Sequence, residues 1–314
     1  MSNTKMAIFG GGSIGIAFAV VFLRGGNDVA IYEPSAERRS LILDEVCARA
    51  EQLSAAGLAS LTEEQVQAHL SVSEDLSEVL RGADLVQECI PEQLELKWDL
   101  FRQIAEHADQ DVIVASSSSA ITASKSMEDT GLIEQGLVAH PGNPPYLLPV
   151  IEIVPTPKTN KALVERAIEI YASCGLEPVL IKVEQEGFVF NRLQGALLRE
   201  AYALVRDGVI GANDLDKVVR DGLGRRWAFM GPFEVADVNT RGGIVKHAER
   251  LGPAYLRMGQ ERGQNDPWEP DLVSRVEAER REVMPLDKWE ERVAWRDSAL
   301  LELEKLKQTL EGKG

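Results

Sequence analysis

Cysteines are few in this sequence, and nothing in their spacing pairs them. Three occur in 314 residues, Cys47, Cys89 and Cys174, far apart and without a C-x-x-C motif. This spacing argues against a disulfide framework and against a zinc site. We therefore expect small buried thiols and no bound metal ion.

Long hydrophobic runs and an excess of positive charge are also missing. The longest apolar run, residues 14–23, is well short of the ~20 residues that cross a bilayer. Residues 1–5 lack the sections of a secretory signal peptide, which predicts a cytoplasmic protein. The formal net charge of −16 disfavours nucleic acid and anionic membrane surfaces as partners. We therefore expect a small-molecule partner.

Strand and helix patterns alternate over the first part of the chain, and helical patterns alone follow. Strands are predicted at residues 5–9, 29–32, 85–90, 112–115, 137–140, 150–154 and 178–183, and helices at 14–23, 35–56, 94–107 and 162–174. This alternation predicts βαβ units in a doubly wound, mostly parallel sheet. Beyond it, helices are predicted at residues 191–206, 212–220, 245–252, 272–281 and 287–310. The sequence thus predicts an α/β N-terminal domain, residues 1–184, and an all-α C-terminal domain, residues 185–314.

A glycine-rich segment follows the first predicted strand and opens the first helix. Gly10-Gly11-Gly12-Ser13-Ile14-Gly15 fits G-x-G-x-x-G, the phosphate-binding turn of a Rossmann-type domain. Gly10 would allow the tight turn, Gly12 the approach of a pyrophosphate, and Gly15 close packing of helix on strand. Ser13 and Ile14 begin the helix, whose N-terminus favours an anion.

An acidic residue ends the second predicted strand, 18 residues after the motif. Glu33 would accept hydrogen bonds from the adenosine ribose and repel a 2′-phosphate, so NAD is expected rather than NADP. Arg38 and Arg39 could in principle bind that phosphate, but a solvated helix face is the simpler interpretation. Two alternatives stay open at this point: FAD as the ligand, and a glycine turn with no ligand.

His140 differs from the other three histidines because it ends a short apolar strand and precedes Pro141-Gly142-Asn143-Pro144-Pro145. Ligands bind at the carboxyl ends of strands in open α/β sheets. Glu152 stands alone in the apolar run of residues 150–154, and a carboxylate there needs a partner. The two side chains could meet across neighbouring strands as an acid/base pair. The alternative is a core histidine beside an edge glutamate.

Several blocks in one order resemble the 3-hydroxyacyl-CoA dehydrogenase superfamily, in particular its lambda-crystallin (L-gulonate 3-dehydrogenase) branch. Besides the glycine motif, they are Gln87-Glu88-Cys89-Ile90-Pro91-Glu92, Ser116 to Ser119, His140-Pro-Gly-Asn-Pro-Pro-Tyr146, Val150-Ile-Glu-Ile-Val-Pro155, Gly187-Phe-Val-Phe-Asn-Arg-Leu193, Asp266-Pro-Trp268 and Glu291-Arg-Val-Ala-Trp-Arg-Asp297. The resemblance covers nearly the whole chain. It implies an NAD-dependent dehydrogenase that acts on a secondary alcohol.

The resemblance also implies roles for individual residues. His140 matches the family's catalytic histidine and Glu152 its carboxylate partner. Ser119 matches the serine that hydrogen-bonds the reacting oxygen, and Asn191 the asparagine that helps hold the substrate. In oxidation, His140 would take the hydroxyl proton while the substrate carbon passes its hydride to the nicotinamide. A helix N-cap is the structural alternative for Ser119.

Three further residues match cofactor contacts of the family. Asn143 matches a residue near the nicotinamide, and Glu92 and Lys97 match contacts in the loop after the family's fourth strand, which is here the strand at residues 85–90. Ser119 is also expected to touch the cofactor. A solvated helix position is the alternative for Lys97. The resemblance further implies a homodimer through the helical domain.

The expected substrate class rests on a different segment, residues 222–232. This segment is longer than the matching loop of typical acyl-CoA dehydrogenases. It carries Arg225 and Arg226, and a guanidinium binds a free carboxylate through two hydrogen bonds. We therefore expect a small 3-hydroxy carboxylate, L-gulonate first, with Arg226 as its ligand. Carnitine, 3-hydroxybutyrate and a 3-hydroxyacyl-CoA stay open, as does a non-catalytic, crystallin-like NAD-binding protein. Two departures from the family pattern, Ser118 and Gly142, bear on the pocket, and Gly142 is expected to enlarge it.

Overall fold

A computed structural model of the chain describes residues 4–241, 243–262, 270–283 and 285–310. Within them, one sheet contains the strands β1 (Lys5–Phe9), β2 (Asp28–Tyr32), β3 (Leu70–Ser73), β4 (Leu85–Glu88), β5 (Ile113–Ser116), β6 (Gly136–Pro141), β7 (Val150–Pro155) and β8 (Glu177–Leu180). The block Asp266-Pro-Trp268, which supported the family resemblance, lies outside the described residues.

Helices separate these strands and then take over the chain. In the first part they are α1 (Ser13–Arg24), α2 (Ala36–Ala55), α3 (Glu63–His69), α4 (Leu76–Leu80), α5 (Leu94–Ala105), α6 (Ala123–Met127) and α7 (Lys161–Ser173). Then follow α8 (Phe190–Arg206), α9 (Ala212–Lys217), a π-helical turn (Val218–Leu223), α10 (Gly224–Trp227), α11 (Pro232–Val238), α12 (Gly243–Glu261), α13 (Pro270–Val283), a 3-10 turn (Leu286–Lys288) and α14 (Trp289–Leu310).

The strand order is β3-β2-β1-β4-β5-β6-β7-β8. Neighbouring strands are parallel throughout except for β6 and β7, which are antiparallel. The predicted fold class, a doubly wound and mostly parallel sheet followed by helices, is therefore confirmed. The edge strand β3 escaped prediction because its four residues include only two apolar side chains, Leu70 and Val72.

Hydrophobic side chains cover both faces of the sheet. From β1, Met6 and Ile8 join a cluster that contains α1 and α7, whereas Ala7 and Phe9 join a second cluster on α5 and α6. Burial on both faces explains why the central strands read as continuous apolar runs. Each large side chain buried in this way contributes about 1.5–3 kcal/mol of hydrophobic stabilisation.

Contacts within the chain define two compact units, Met1–Arg192 with Trp295–Gly314, and Leu193–Ala294. In the first unit, Leu300 and Leu301 of α14 pack against the sheet cluster that contains α1. The second unit has a small core of its own around Val205, Ala212 and Leu272. The domain limits of residues 1–184 and 185–314 stay a prediction. None of the helices in the described stretches has both the length and the apolarity to cross a membrane.

Candidate active site

The glycine turn joins β1 to α1, and its geometry leaves room only for glycine at two positions. Gly10 has φ +107°, and a Cβ there would lie 2.8 Å from the carbonyl oxygen of Cys89. A Cβ on Gly15 would lie 1.9 Å from the carbonyl oxygen of Gly10. The missing side chains therefore bring the helix directly onto the turn, as the motif predicts.

A cleft of about 640 Å³ opens beside this turn. Its lining includes residues 10–14 of the turn, residues 32–34 at the end of β2 and residues 89–91 after β4. Gly12 precedes α1 with no side-chain cap, and a Cβ on it would meet no atom within 4 Å. The first N–H groups of α1, including those of Ser13 and Ile14, thus border the open cleft, where they suit a pyrophosphate.

Glu33 is one of the residues that line this cleft. Its carboxylate accepts hydrogen bonds from the backbone N–H groups of Gly11 and Ser35, both at 3.0 Å. These bonds fix the carboxylate where a ribose would be recognised. The turn and Glu33 therefore fit the adenosine half of a dinucleotide.

His140 and Glu152 are opposite each other across β6 and β7, as predicted. The Nδ1 atom of His140 lies 2.7 Å from Oε2 of Glu152, and both side chains are buried. Because an ionised carboxylate only accepts hydrogen bonds, Nδ1 is the donor. This tautomer leaves Nε2 with its lone pair, available to take a proton.

The second oxygen of Glu152 holds the beginning of α8. Oε1 accepts hydrogen bonds from the backbone N–H groups of Val189, at 2.8 Å, and Phe190, at 3.0 Å. Burial acts to raise the pKa of Glu152, but the bonds from His140, Phe190 and Val189 outweigh it and leave the pKa below its ordinary value. Glu152 therefore stays an anion at neutral pH.

Asn191, the second residue of α8, reaches the loop after β5. Its Nδ2 donates to the carbonyl oxygen of Ser119 at 2.9 Å. A chain of hydrogen bonds thus links His140, Glu152, the first turn of α8, and Ser119. The structure brings together the four residues that the sequence nominated for catalysis.

Glu92 organises the loop that carries Ser119. One oxygen, Oε1, accepts from the Ser118 hydroxyl at 2.5 Å and from the backbone N–H groups of Ser119, Ala120 and Ile121 at 3.0–3.3 Å. Burial acts to raise the pKa of Glu92, but these bonds and the nearby Lys97 ammonium hold it below its ordinary value. Ser118, noted only as a departure from the family pattern, is thus part of the loop's framework.

Lys97 is not solvated, since its side chain is 1% exposed. Its ammonium donates to both carboxylate oxygens of Glu88 at 2.8 Å and lies 3.4 Å from Glu92. Glu88 is fully buried and also accepts from the Ser116 hydroxyl at 2.5 Å. Sequence reasoning quoted Glu88 without giving it a role, although a buried carboxylate at a strand end signals a paired charge.

Two aromatic residues that sequence reasoning passed over pack against His140. The ring centroid of Phe188 lies 5.4 Å from that of the imidazole. The ring centroid of Phe190 lies 6.1 Å from the imidazole centroid, in an edge-on arrangement. Phe188 has a φ of +48°, which is rare for a bulky residue, and it is buried. The surrounding packing holds this strained residue against the imidazole.

One expectation about the loop after β6 is wrong. A Cβ on Gly142 would lie 2.9 Å from Cβ of Leu148, so the missing side chain makes room for Leu148 and does not enlarge a pocket. Asn143 is exposed immediately after this position. Arg225 and Arg226 are exposed on α10, in the second compact unit.

The cysteines are free thiols. Cys174 is buried as predicted, whereas Cys47 and Cys89 are partly exposed, which corrects the expectation for these two. Burial raises the pKa of Cys89 beside the cleft, so its thiol stays protonated at neutral pH.

Comparison with known proteins shows which family the chain belongs to. Residues 5–184 match the NAD-binding domain of 3-hydroxyacyl-CoA dehydrogenase, and residues 187–284 match the C-terminal domain of the same family. The chain belongs to the 3-hydroxyacyl-CoA dehydrogenase family. It is an NAD-dependent dehydrogenase that acts on hydroxyl groups, and the predictions of family, cofactor and enzyme class are confirmed.

Relatives place the chain near the lambda-crystallin branch. It is 36% identical over 312 residues to a lambda-crystallin homolog of Rattus norvegicus, covering 98% of this chain and 97% of the relative. It is 38% identical over 251 residues to an L-carnitine dehydrogenase/betainyl-CoA thioesterase of Ruegeria pomeroyi, covering 80% of this chain and 51% of that protein.

A solved structure shares the whole fold. The NAD+-dependent 5-formyl-3-hydroxy-2-methylpyridine 4-carboxylic acid 5-dehydrogenase is 28% identical and superposes with a TM-score of 0.84, over 99% of this chain and 100% of that one. The likeness therefore extends through both parts of the chain.

Proposed function

We propose that this dehydrogenase oxidises the secondary alcohol of a free 3-hydroxy carboxylate, with L-gulonate as the first candidate and His140 as the general base. The observation that carries the proposal is the buried bond between His140 Nδ1 and Glu152. It holds the imidazole in the tautomer that an alcohol oxidation needs.

The proposed proton path runs through one ring. His140 Nε2 takes the hydroxyl proton, and the imidazolium that forms is stabilised by the Glu152 anion, which also keeps the ring in place. NAD, when bound, supplies the acceptor for the hydride that leaves the substrate carbon. General-base assistance of this kind is typically worth about 10²–10⁴ in rate.

Around this pair, we propose that Ser119 and Asn191 steady the substrate oxygen. Their side chains start from the two segments that the Asn191 hydrogen bond joins. We further propose that Asn143 lies near the nicotinamide, because it is exposed close after His140.

The cofactor contacts of Gly10, Gly12, Ser13, Ile14 and Glu33 are proposed on the lining of the cleft. Glu92, in the loop between β4 and α5, is proposed to contact the cofactor, since its side chain is 40% exposed. Lys97 would act on the cofactor through Glu92, since its own ammonium is buried against carboxylates.

The preference for a free acid rests on charge and on relatives. An arginine fork suits a carboxylate, and Arg226 is the proposed ligand. The solved structure named above acts on a carboxylic acid, and L-carnitine, the substrate in the name of the Ruegeria protein, also carries a free carboxylate.

Parallel assays test the substrate. Purified protein and NAD are given L-gulonate, L-carnitine or 3-hydroxybutyryl-CoA, and NADH formation is followed by absorbance. Turnover of a free acid supports the proposal, whereas turnover of the thioester alone overturns it in favour of an acyl-CoA dehydrogenase. NADH binding without turnover of any of the three would favour the crystallin-like alternative.

Two variants then locate the carboxylate ligand. Arg226→Met should raise KM for the free acid about tenfold or more, the equivalent of a lost charge-assisted bond. Arg220→Met is the matched control, because Arg220 is an exposed arginine engaged by Asp221. An unchanged KM for Arg226→Met would remove its role.

We also propose a homodimer through the helical part. None of the residues of α12, Gly243–Glu261, is buried. Two of its large apolar side chains, Val245 and Leu256, are 63% and 64% exposed. Leu256 is eleven positions after Val245, about three helical turns, so both lie on one side of the helix. We propose that a second copy of the chain packs on this side. Light scattering after chromatography should show a dimer for the wild type and a monomer for Leu256→Glu.

A cytoplasmic location is proposed as well. It is consistent with three free thiols, because disulfides are rare in reducing compartments. Fractionation of the source cells tests it.

A further inference from the structure

Two carboxylates, Glu33 and Glu45, are linked by hydrogen bonds to Gly11 of the glycine turn, Glu33 directly and Glu45 through Arg38. Glu33 lines the cleft and accepts the N–H of Gly11 at 3.0 Å. The carbonyl oxygen of the same glycine accepts from Nε of Arg38 at 2.6 Å. Arg38 is thus a cation attached to the same residue of the turn as Glu33, on the first turn of α2.

Glu45 holds this cation. About two turns further along α2, its carboxylate accepts from both terminal nitrogens of Arg38: Nη2 donates to Oε2 at 3.1 Å, and Nη1 donates to Oε1. Both prongs of the guanidinium fork therefore face a carboxylate of the chain itself. With Nε bonded to Gly11 and both Nη atoms bonded to Glu45, the guanidinium has no free two-pronged edge to present to a phosphate.

From these contacts we infer that Glu45 is a specificity-determining residue for the cofactor: it occupies Arg38, which would otherwise bind the 2′-phosphate of NADP. Glu33 would repel that phosphate directly, and Glu45 engages a nearby cation that could otherwise compensate. NADP would have to break the Arg38–Glu45 pair, which would leave Glu45 with only the longer contact to Arg49, at 3.5 Å. This inference concerns the cofactor and is independent of which alcohol is the substrate.

The test is direct binding of NADH and NADPH by calorimetry, with 2′,5′-ADP as a probe of the adenosine half alone. Glu45→Gln should lower the Kd for NADPH and for 2′,5′-ADP about tenfold, the equivalent of one charge-assisted hydrogen bond, and leave the Kd for NADH unchanged. Adding Arg38→Met to that variant should return NADPH to its wild-type affinity.

A nearby pair provides the control for net charge. Glu74 accepts from Arg39, whose guanidinium also donates to the carbonyl oxygens of Glu33 and Pro34. Glu74→Gln removes the same charge but leaves those two bonds, so its Kd for NADPH should stay within about twofold to threefold of the wild type. An equal gain for Glu74→Gln and Glu45→Gln would overturn the inference, since general charge would then explain both.

Repulsion by Glu33 could hide the gain, and a second comparison covers that case. Glu33→Gln with Glu45→Gln is compared with Glu33→Gln alone. If Glu45→Gln strengthens NADPH binding neither in the wild type nor in the Glu33→Gln variant, Arg38 is not a latent phosphate ligand and the inference is wrong. Retained NADH binding by Glu45→Gln shows that the variant is folded.

Discussion

Replacing Glu152 by glutamine keeps its shape and removes its charge, which makes it the sharpest test of the proposed chemistry. The new amide has one oxygen and one NH2 group for three neighbours: His140 Nδ1 and the N–H groups of Val189 and Phe190. Facing the NH2 group toward α8 would leave two backbone donors unsatisfied, at about 1–3 kcal/mol each. The oxygen should therefore stay on α8.

The NH2 group then points at His140, and this exchanges the donor and acceptor roles of the two imidazole nitrogens. Nδ1 must accept a hydrogen bond, so the proton moves to Nε2, which can no longer take a proton from an alcohol. We expect kcat/KM for oxidation to fall by about 10³–10⁴. This corresponds to roughly 4–5.5 kcal/mol of transition-state stabilisation.

The assay follows NADH formation with the best of the three candidate substrates, together with the Kd for NADH and the thermal midpoint. Glu165→Gln is the control, because Glu165 is an exposed carboxylate on α7. Glu152→Gln should bind NADH like the wild type, since the glycine turn and Glu33 are untouched. Retention of more than about a tenth of kcat/KM would refute the assignment of His140 as the base, because general-base help is worth at least about 10².

Three other predictions concern stability. Lys97→Met leaves the buried charge of Glu88 uncompensated and should lower the free energy of unfolding in urea by about 3–5 kcal/mol; the double variant with Glu88→Gln should recover part of that loss. The pKa of Glu152 lies below its ordinary value of 4.5, so its contribution to stability is complete above that pH and is lost as pH falls through the folded-state value. The difference in unfolding free energy between wild type and Glu152→Gln should therefore shrink on acidification, and a constant difference would contradict this. Gly15→Ala should weaken NADH binding and lower the thermal midpoint, because its Cβ would lie 1.9 Å from the carbonyl oxygen of Gly10; an unaltered midpoint would show that the turn relaxes freely.

Much of this molecule was predictable because its decisive features are local in sequence. The glycine motif has a strand before it and a helix after it, so its geometry follows from a short segment. His140 and Glu152 are only twelve residues apart, on strands joined by one loop, and their pairing could be expected from that proximity. The continuous apolar strands likewise predicted a sheet that is covered on both faces.

Other features depend on residues distant in sequence, and no local pattern revealed them. Glu88 and Ser116 meet because β4 and β5 are neighbours in the sheet, and the hydrogen bond between Asn191 and Ser119 spans 72 residues. Phe188 takes a positive φ that its side chain disfavours, so only the surrounding packing decides it.

The sequence by itself determined the fold class from its strand and helix pattern and, through the family resemblance, the cofactor; it also placed His140 and Glu152 close enough in the chain to pair. Tertiary structure alone decided which charges are buried and which partners they take. Lys97 shows the difference: its sequence position suits a solvated helix face, yet its ammonium is buried between Glu88 and Glu92. The physical reason is that burial and ion pairing depend on where the sheet brings distant segments together, and a charge removed from water must find its partner there.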